Sequence, residues 1–196
     1  MKRLVKIAFI LLSGLSLISG CAGPQKITKT TPVQDIDAPE WVKKGSGAFS
    51  GERGKVFYGV NSAYGIKNPS LLRSAADDRA RNEVAKIFQF YTASLMKDYM
   101  ASTMANDPNA TSDEQHVEQA IKTVTSMTLS GVEIVDHWQN PATGELFSLA
   151  RLDLEAFKDN LNKAHELNVK VKEHIKKNAE SLHEELEKEE EKMRGE

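Results

Sequence analysis

The stretch from Asn68 to Met104, NPSLLRSAADDRARNEVAKIFQFYTASLMKDYMASTM, decides the fold, because it is the longest segment with one consistent apolar face. Leu72, Ala76, Ala80, Val84, Ile87, Phe88, Tyr91, Leu95 and Tyr99 recur at steps of three and four, the spacing of a single helical stripe. Ala75, Ala76 and Ala80 keep the first half of the stripe narrow, so that the helix backbone can approach a sheet closely, whereas Ile87 to Tyr99 supplies the larger side chains of a core. Asn68 fits an N-cap and Pro69 the first helical position, where no N–H is needed.

Upstream, Val56-Phe57-Tyr58-Gly59-Val60 has β-branched and aromatic character and predicts a strand from Lys55 to about Ala63. Gly45-Ser46-Gly47 is not followed by a third glycine at dinucleotide-binding spacing or by the Lys-Ser/Thr of a P-loop, so these glycines read as turn and close-packing positions. Trp41, the first large side chain of this region, reads as a packing anchor at the domain edge. Downstream, Asn106-Asp107-Pro108-Asn109 breaks the helical pattern and Ser112-Asp113-Glu114-Gln115 fits a capping box. Val117, Ile121, Val124 and Thr128 give the second helix a modest apolar face, and the two helices are expected to run antiparallel.

Beyond Gly131, strict alternation places Val132, Ile134, Asp136 and Trp138 on one side of a strand, with Glu133, Val135, His137 and Gln139 on the other. A turn at Asn140 to Gly144 leads to a second strand from Glu145 to Leu154, with Phe147 and Leu149 on one face and Leu146, Ala150 and Leu152 on the other. Apolar residues on both faces require either a helix over each or one face reserved for a partner. Ile134, Trp138 and Phe147 are therefore the candidate partner-binding residues. The expected fold class is α+β: an antiparallel sheet packed by a long helix and a second helix, with a C-terminal helical extension.

That extension carries a thin stripe, Val171, Ile175, Ala179, Leu182, Leu186 and Met193, and its end from Glu180 to Glu196 holds eight acidic and three basic residues. It reads either as a solvated single helix or as a self-associating coiled coil whose heptad is interrupted at Asn168 and Asn178. The resulting division is 1–20 leader, 21–38 tether, 39–165 α+β domain and 166–196 charged helix, with the chain after about Glu173 expected to be dispensable for folding.

A net charge of −2 on 196 residues gives no basic field for nucleic acid. The histidines, His116, His137, His165, His174 and His183, form no metal-ligand spacing. The last three recur every nine residues, a half-turn of azimuth per step, and read as surface residues. His137 and Trp138 are expected on opposite faces of their strand, and Asp77 is accounted for by the helix dipole and an i,i+4 pair with Arg81. No Gly-x-Ser-x-Gly elbow occurs. No catalytic residue, metal site or cofactor is expected, and the chain does not read as an enzyme.

The first twenty residues have the form of a secretory leader: Lys2, Arg3 and Lys6 precede the apolar run Ile7 to Leu12, continued by Leu15 to Ile18. Ile18-Ser19-Gly20-Cys21 resembles the bacterial lipobox and holds the chain's only cysteine. The resemblance implies acylation of Cys21 with chains such as palmitate, and more than one chain makes anchoring effectively permanent at about 0.8 kcal/mol per buried CH₂. Ala22, in place of the aspartate that retains such proteins in the inner membrane, favours the outer membrane. Gly23 to Pro39 contains Pro24, Pro32 and Pro39 and reads as a flexible tether with a reach of roughly 20 Å.

Pro39-Glu40-Trp41-Val42, the strand from Val56 to Gly65, the Ala/Arg-rich segment Leu71 to Phe88 and above all Gly131 to Phe157 resemble the Lpp-twenty family of small bacterial envelope lipoproteins. The resemblance spans roughly residues 39 to 160. It implies a helix-on-sheet domain tethered to the outer membrane, with no catalytic residues, and a relation to certain flagellar-assembly proteins. The functional expectation is a structural or interaction lipoprotein of the envelope, bound to the membrane through Cys21 and to an unidentified envelope protein, with the C-terminal helix as a route to homo-oligomers. The alternative is a binding module for a peptide or small ligand.

Overall fold

In the computed structural model the described residues are 37–51, 54–104 and 111–195. The leader, the lipobox with Cys21, most of the tether and the helix break at Asn106 to Asn109 lie outside them, as do the side chains of the capping box up to Glu114.

In chain order the elements are α1 (Glu40–Lys44), β1 (Gly47–Gly51), β2 (Gly54–Ala63), α2 (Pro69–Met104), α3 (Thr111–Leu129), β3 (Glu133–Gln139), β4 (Leu146–Asp153), α4 (Leu154–Lys163) and α5 (Val169–Gly195). The four strands form one antiparallel sheet in the order β1-β2-β4-β3. The expected α+β class is thus the observed one.

α2 starts as its sequence dictates: Asn68 Oδ1 accepts the backbone N–H groups of Ser70 at 3.0 Å and Leu71 at 3.2 Å, satisfying two donors that have no partner inside the helix. Ala76, Ala80, Val84, Phe88, Tyr91 and Leu95 are buried along its length. The narrow alanine segment lies over β2 at Gly59, where a Cβ would run into the carbonyl oxygen of Ala80 and the backbone nitrogen of Val84. Farther along, Phe57 of β2 packs edge-on to Phe88 and Tyr91 of α2 with ring centroids 5.4 and 4.9 Å apart, and Phe88 meets Phe157 of α4 at 5.4 Å. Val117, Ile121 and Val124 bring α3 into the same core.

The C-terminal helix corrects the expectation of a separable, solvated tail. Val171, Ile175, Ala179 and His183 of α5 are buried in the main core, with Leu182 and Leu186 packed against it. From Val171 to Leu186 the stripe packs inside its own domain, while Met193 at its end is exposed. Tyr91 donates its hydroxyl to the carbonyl of Ala179 at 2.5 Å, and burial raises the phenol's pKa far above the ordinary 10.0, keeping that donor protonated. His183, expected at the surface, is fully buried, its Nε2 3.0 Å from the carbonyl oxygen of Val56 and its ring 5.0 Å from that of Phe57.

Candidate docking face

The cross-strand register defines two sheet faces. Phe57, Gly59 and Ala63 of β2 lie opposite Leu152, Ala150 and Leu146 of β4, and this face carries the core under α2. On the reverse face Tyr58, Val60 and Ser62 lie opposite Arg151, Leu149 and Phe147.

Strand β3 does not alternate strictly. Ile134 pairs with Ala150 and Asp136 with Leu149, so Val135 is an extra residue and the register shifts there. Such a bulge places two residues against one and reverses which side the later residues face. Ile134 therefore joins Ala150 and packs against the main core, while Trp138 pairs with Phe147 on the reverse face. The three candidate partner-binding residues do not share a surface: Trp138 and Phe147 do, with ring centroids 5.5 Å apart, and Ile134 does not. Period-two counting carries no signal for the inserted residue, and this is why alternation put Ile134 beside Trp138.

The reverse face holds further residues that sequence reasoning did not assign to it. Phe49 of β1 stacks obliquely on Tyr58 at 5.6 Å, and the Arg194 guanidinium at the end of α5 sits 4.6 Å above the Phe49 ring. α1 is pinned across this side by Trp41, whose Nε1–H donates to Asp136 Oδ2 at 2.9 Å. Trp41, Phe49, Tyr58 and Leu149 line a hollow of about 370 Å³, with Glu40 and Lys44 at its margin. Arg151 is held by Asp153, Nε to Oδ1 at 2.6 Å. Aromatic side chains set among paired charges suit the recognition of an apolar segment.

On the helix side, Asp77 turns to the sheet rather than pairing with Arg81 as its spacing suggests. Its Oδ1 accepts the Ser148 hydroxyl at 2.7 Å and lies 2.6 Å from His137 Nε2. Ser, His and Asp thus meet, but in an order unsuited to acyl transfer: the aspartate takes both contacts, and the Ser148 hydroxyl is directed at the carboxylate with Ser148 fully buried. The cluster fastens α2 to β3 and β4. As expected, His137 and Trp138 occupy opposite faces.

Cys21 lies outside the described residues. Among the described residues, no group of three or more His, Cys, Asp or Glu side chains could hold a metal ion, and no helix is long and apolar enough to cross a membrane. No family model matches the chain, and comparison with curated proteins finds no match.

Proposed function

We propose that this chain is a non-catalytic lipoprotein of the bacterial cell envelope, anchored in the outer membrane through acylated Cys21, that holds another envelope protein against the reverse face of its sheet. The observation that carries this reading is the aromatic group of Trp41, Phe49, Tyr58, Trp138 and Phe147 on the sheet face away from α2. The resemblance to the Lpp-twenty family, with its link to flagellar assembly, supports an assembly role for the envelope complex concerned. A peptide-binding role for the same face is the second reading, favoured by the 370 Å³ hollow beside Trp41.

The test is crosslinking in intact cells from a photoreactive residue placed at Trp138 or Phe147, compared with one at exposed Lys163 on α4. Adducts of defined mass from the first two sites and none from the third support docking on this face. In parallel, Cys21→Ala should abolish membrane partitioning and normal processing. Saturable turnover by the purified protein would overturn the non-catalytic reading, and unchanged partitioning of Cys21→Ala would overturn the anchor.

A further inference from the structure

We propose that the end of α5, from Glu184 to Gly195, is a latch that swings off the edge of β1 while the rest of the domain stays folded, and that the freed edge pairs with an extended segment of another chain. The two halves of α5 are held differently. Up to His183 the helix is fixed by Val171, Ile175, Ala179 and His183 in the core, whereas beyond His183 no described side chain of α5 is buried. The end is held instead by polar contacts near the surface. Lys55 meets Glu184 at 2.8 Å, Ser50 donates its N–H and its hydroxyl to Glu187, and Ala48 donates its N–H to Glu190. Arg194 lies over the Phe49 ring, and half-buried Leu186 adds an apolar tie to the core. A segment with so little buried apolar surface opens locally at a free energy well below that of global unfolding.

The closed latch also carries a cost that the open one does not. Glu190 Oε2 is buried and has no hydrogen-bond partner among the described residues. Burial raises the Glu190 pKa above its ordinary 4.5 and Glu187 adds to the rise, while the Ala48 N–H and Arg194 oppose it. Strand β1, Gly-Ala-Phe-Ser-Gly, brings no titratable side chain to the contact. An ionised carboxylate in the closed latch therefore keeps one oxygen out of water with nothing to bind, and release returns that oxygen to solvent.

The groups uncovered by release decide the occupant. Ala48 and Ser50 are alternate residues of an edge strand, and such residues direct both N–H and C=O away from the sheet. Glu187 and Glu190 already accept from these two N–H groups at the repeat of a paired strand, but a carboxylate has no donor to return to the carbonyls. An extended segment supplies acceptors and donors at that same repeat, so it replaces the carboxylates with a fuller set of bonds. Arg194 leaves Phe49 in the same step, so the ring is uncovered beside the added strand.

Two measurements on the full chain in detergent solution test this. In amide exchange followed by NMR, Ala48 and Ser50 should exchange about tenfold or more faster than the buried residues of β2 and α2, the mark of an opening short of unfolding. The probe for the edge is a short fluorescent peptide of alternating threonine and valine with a lysine at each end. The double variant Glu187→Ala, Glu190→Ala should bind it about tenfold or more tighter than the wild type, with protection returning to Ala48 and Ser50. The same peptide with its central valines replaced by proline should not bind. Both substitutions lie outside the core, so the melt of the variant should stay cooperative. The milder Arg194→Ala should move exchange and binding in the same direction. Exchange of Ala48 and Ser50 only in step with β2 and α2, or a folded double variant that leaves the peptide unbound, would each overturn the proposal. A double variant that pairs with itself in sedimentation rather than with the peptide would make a second copy the occupant and overturn that assignment. Neither readout involves Cys21, Trp138 or Phe147, so its failure and that of the docking role are separable.

Discussion

Glu190 Oε1 accepts the backbone N–H of Ala48 at 3.0 Å, so a helix side chain occupies the outer edge of strand β1. One turn earlier Glu187 does the same for Ser50, accepting its N–H at 2.6 Å and its hydroxyl at 2.7 Å. Alternate residues of an edge strand direct their N–H groups outward, and two carboxylates at i,i+3 on α5 match that spacing. A Cβ at Gly47 would displace the Glu190 carboxylate from its place beside Ala48. The opposite edge, β3, is defended by the bulge at Val135 and by Asp136, whose Oδ1 takes the N–H of His137 at 2.8 Å. Both edges are thus blunted against strand addition.

Truncation after Glu173 should consequently unfold the domain. It removes Ile175, Ala179 and His183 from the core and uncovers the β1 edge. A fully buried Ile alone is worth about 1.5–3 kcal/mol, against a total stability of about 5–15 kcal/mol for an ordinary domain. Thermal unfolding followed by circular dichroism should lose its cooperative transition, and a melt resembling that of the full chain would show that α5 is dispensable.

Gly59→Ala should destabilise by about 1–3 kcal/mol, the usual cost of forcing extra volume into a packed interior. Gly59 lies against α2 where the added Cβ meets backbone atoms of Ala80 and Val84, so relief requires moving the helix rather than turning a side chain. Denaturant midpoints of the variant and the wild type measure this. An unchanged midpoint would mean that α2 does not sit so close to β2.

Helices α2 and α3, strands β2, β3 and β4 and the capping at Asn68 were legible because each rests on local spacing: three-and-four steps for the helices, alternation for the strands, and an Asn-Pro start. Helix α1 and strand β1 were not, the latter because its glycines, Gly47 and Gly51, read as turn positions, and two further features were hidden. The bulge at Val135 adds one residue without any Gly or Pro to mark it, and one residue reverses every face assignment beyond it. The role of α5 was hidden because its charge density reads as solvation, although Glu187 and Glu190 face strand edge and Lys55 pairs with Glu184 at 2.8 Å. The candidate face was half legible: Trp138 and Phe147 from alternation across a hairpin, but not Phe49 and Trp41, whose proximity depends on how distant segments meet.

His183 should make stability fall in mild acid. Burial holds its imidazole below the ordinary pKa of 6.5, and Lys55 lowers it further, against the raising effects of the Val56 carbonyl, Glu187 and Glu184. Nε2 faces the Val56 carbonyl and Nδ1 is buried without a hydrogen-bond partner, so the neutral ring is the form the core accepts. A depressed folded-state pKa means that the unfolded chain binds the extra proton. This contribution is complete above about pH 6.5 and is lost as pH falls toward the folded-state value, with a slope of at most about 1.4 kcal/mol per pH unit. His183→Gln keeps an N–H for Val56 and should flatten the profile over roughly pH 5 to 6.5. An equal slope in variant and wild type would assign the acid sensitivity to another group.

Ile134 and Trp138 provide the sharpest comparison, because strict alternation puts them on one face and the structure puts them on two. Ile134 packs against the core beside Ala150, so Ile134→Ser removes buried apolar surface and sets a hydroxyl against it. Because Ile134 is partly buried, the loss stays below the range of about 2–5 kcal/mol for truncating a fully buried aliphatic side chain. Trp138 contacts Phe147 on the reverse face, and neither residue belongs to the main core. Trp138→Ser removes the ring pair with Phe147, worth about 0.5–1.5 kcal/mol beyond the area the ring buries, while reducing crosslinking to a partner docked there. Melting and in-cell crosslinking of the two variants, each as a single substitution, separate the cases: Ile134→Ser is read in the melt and Trp138→Ser in the adducts. Equal destabilisation by both would place Trp138 in a core of its own and leave the reverse face without its docking role.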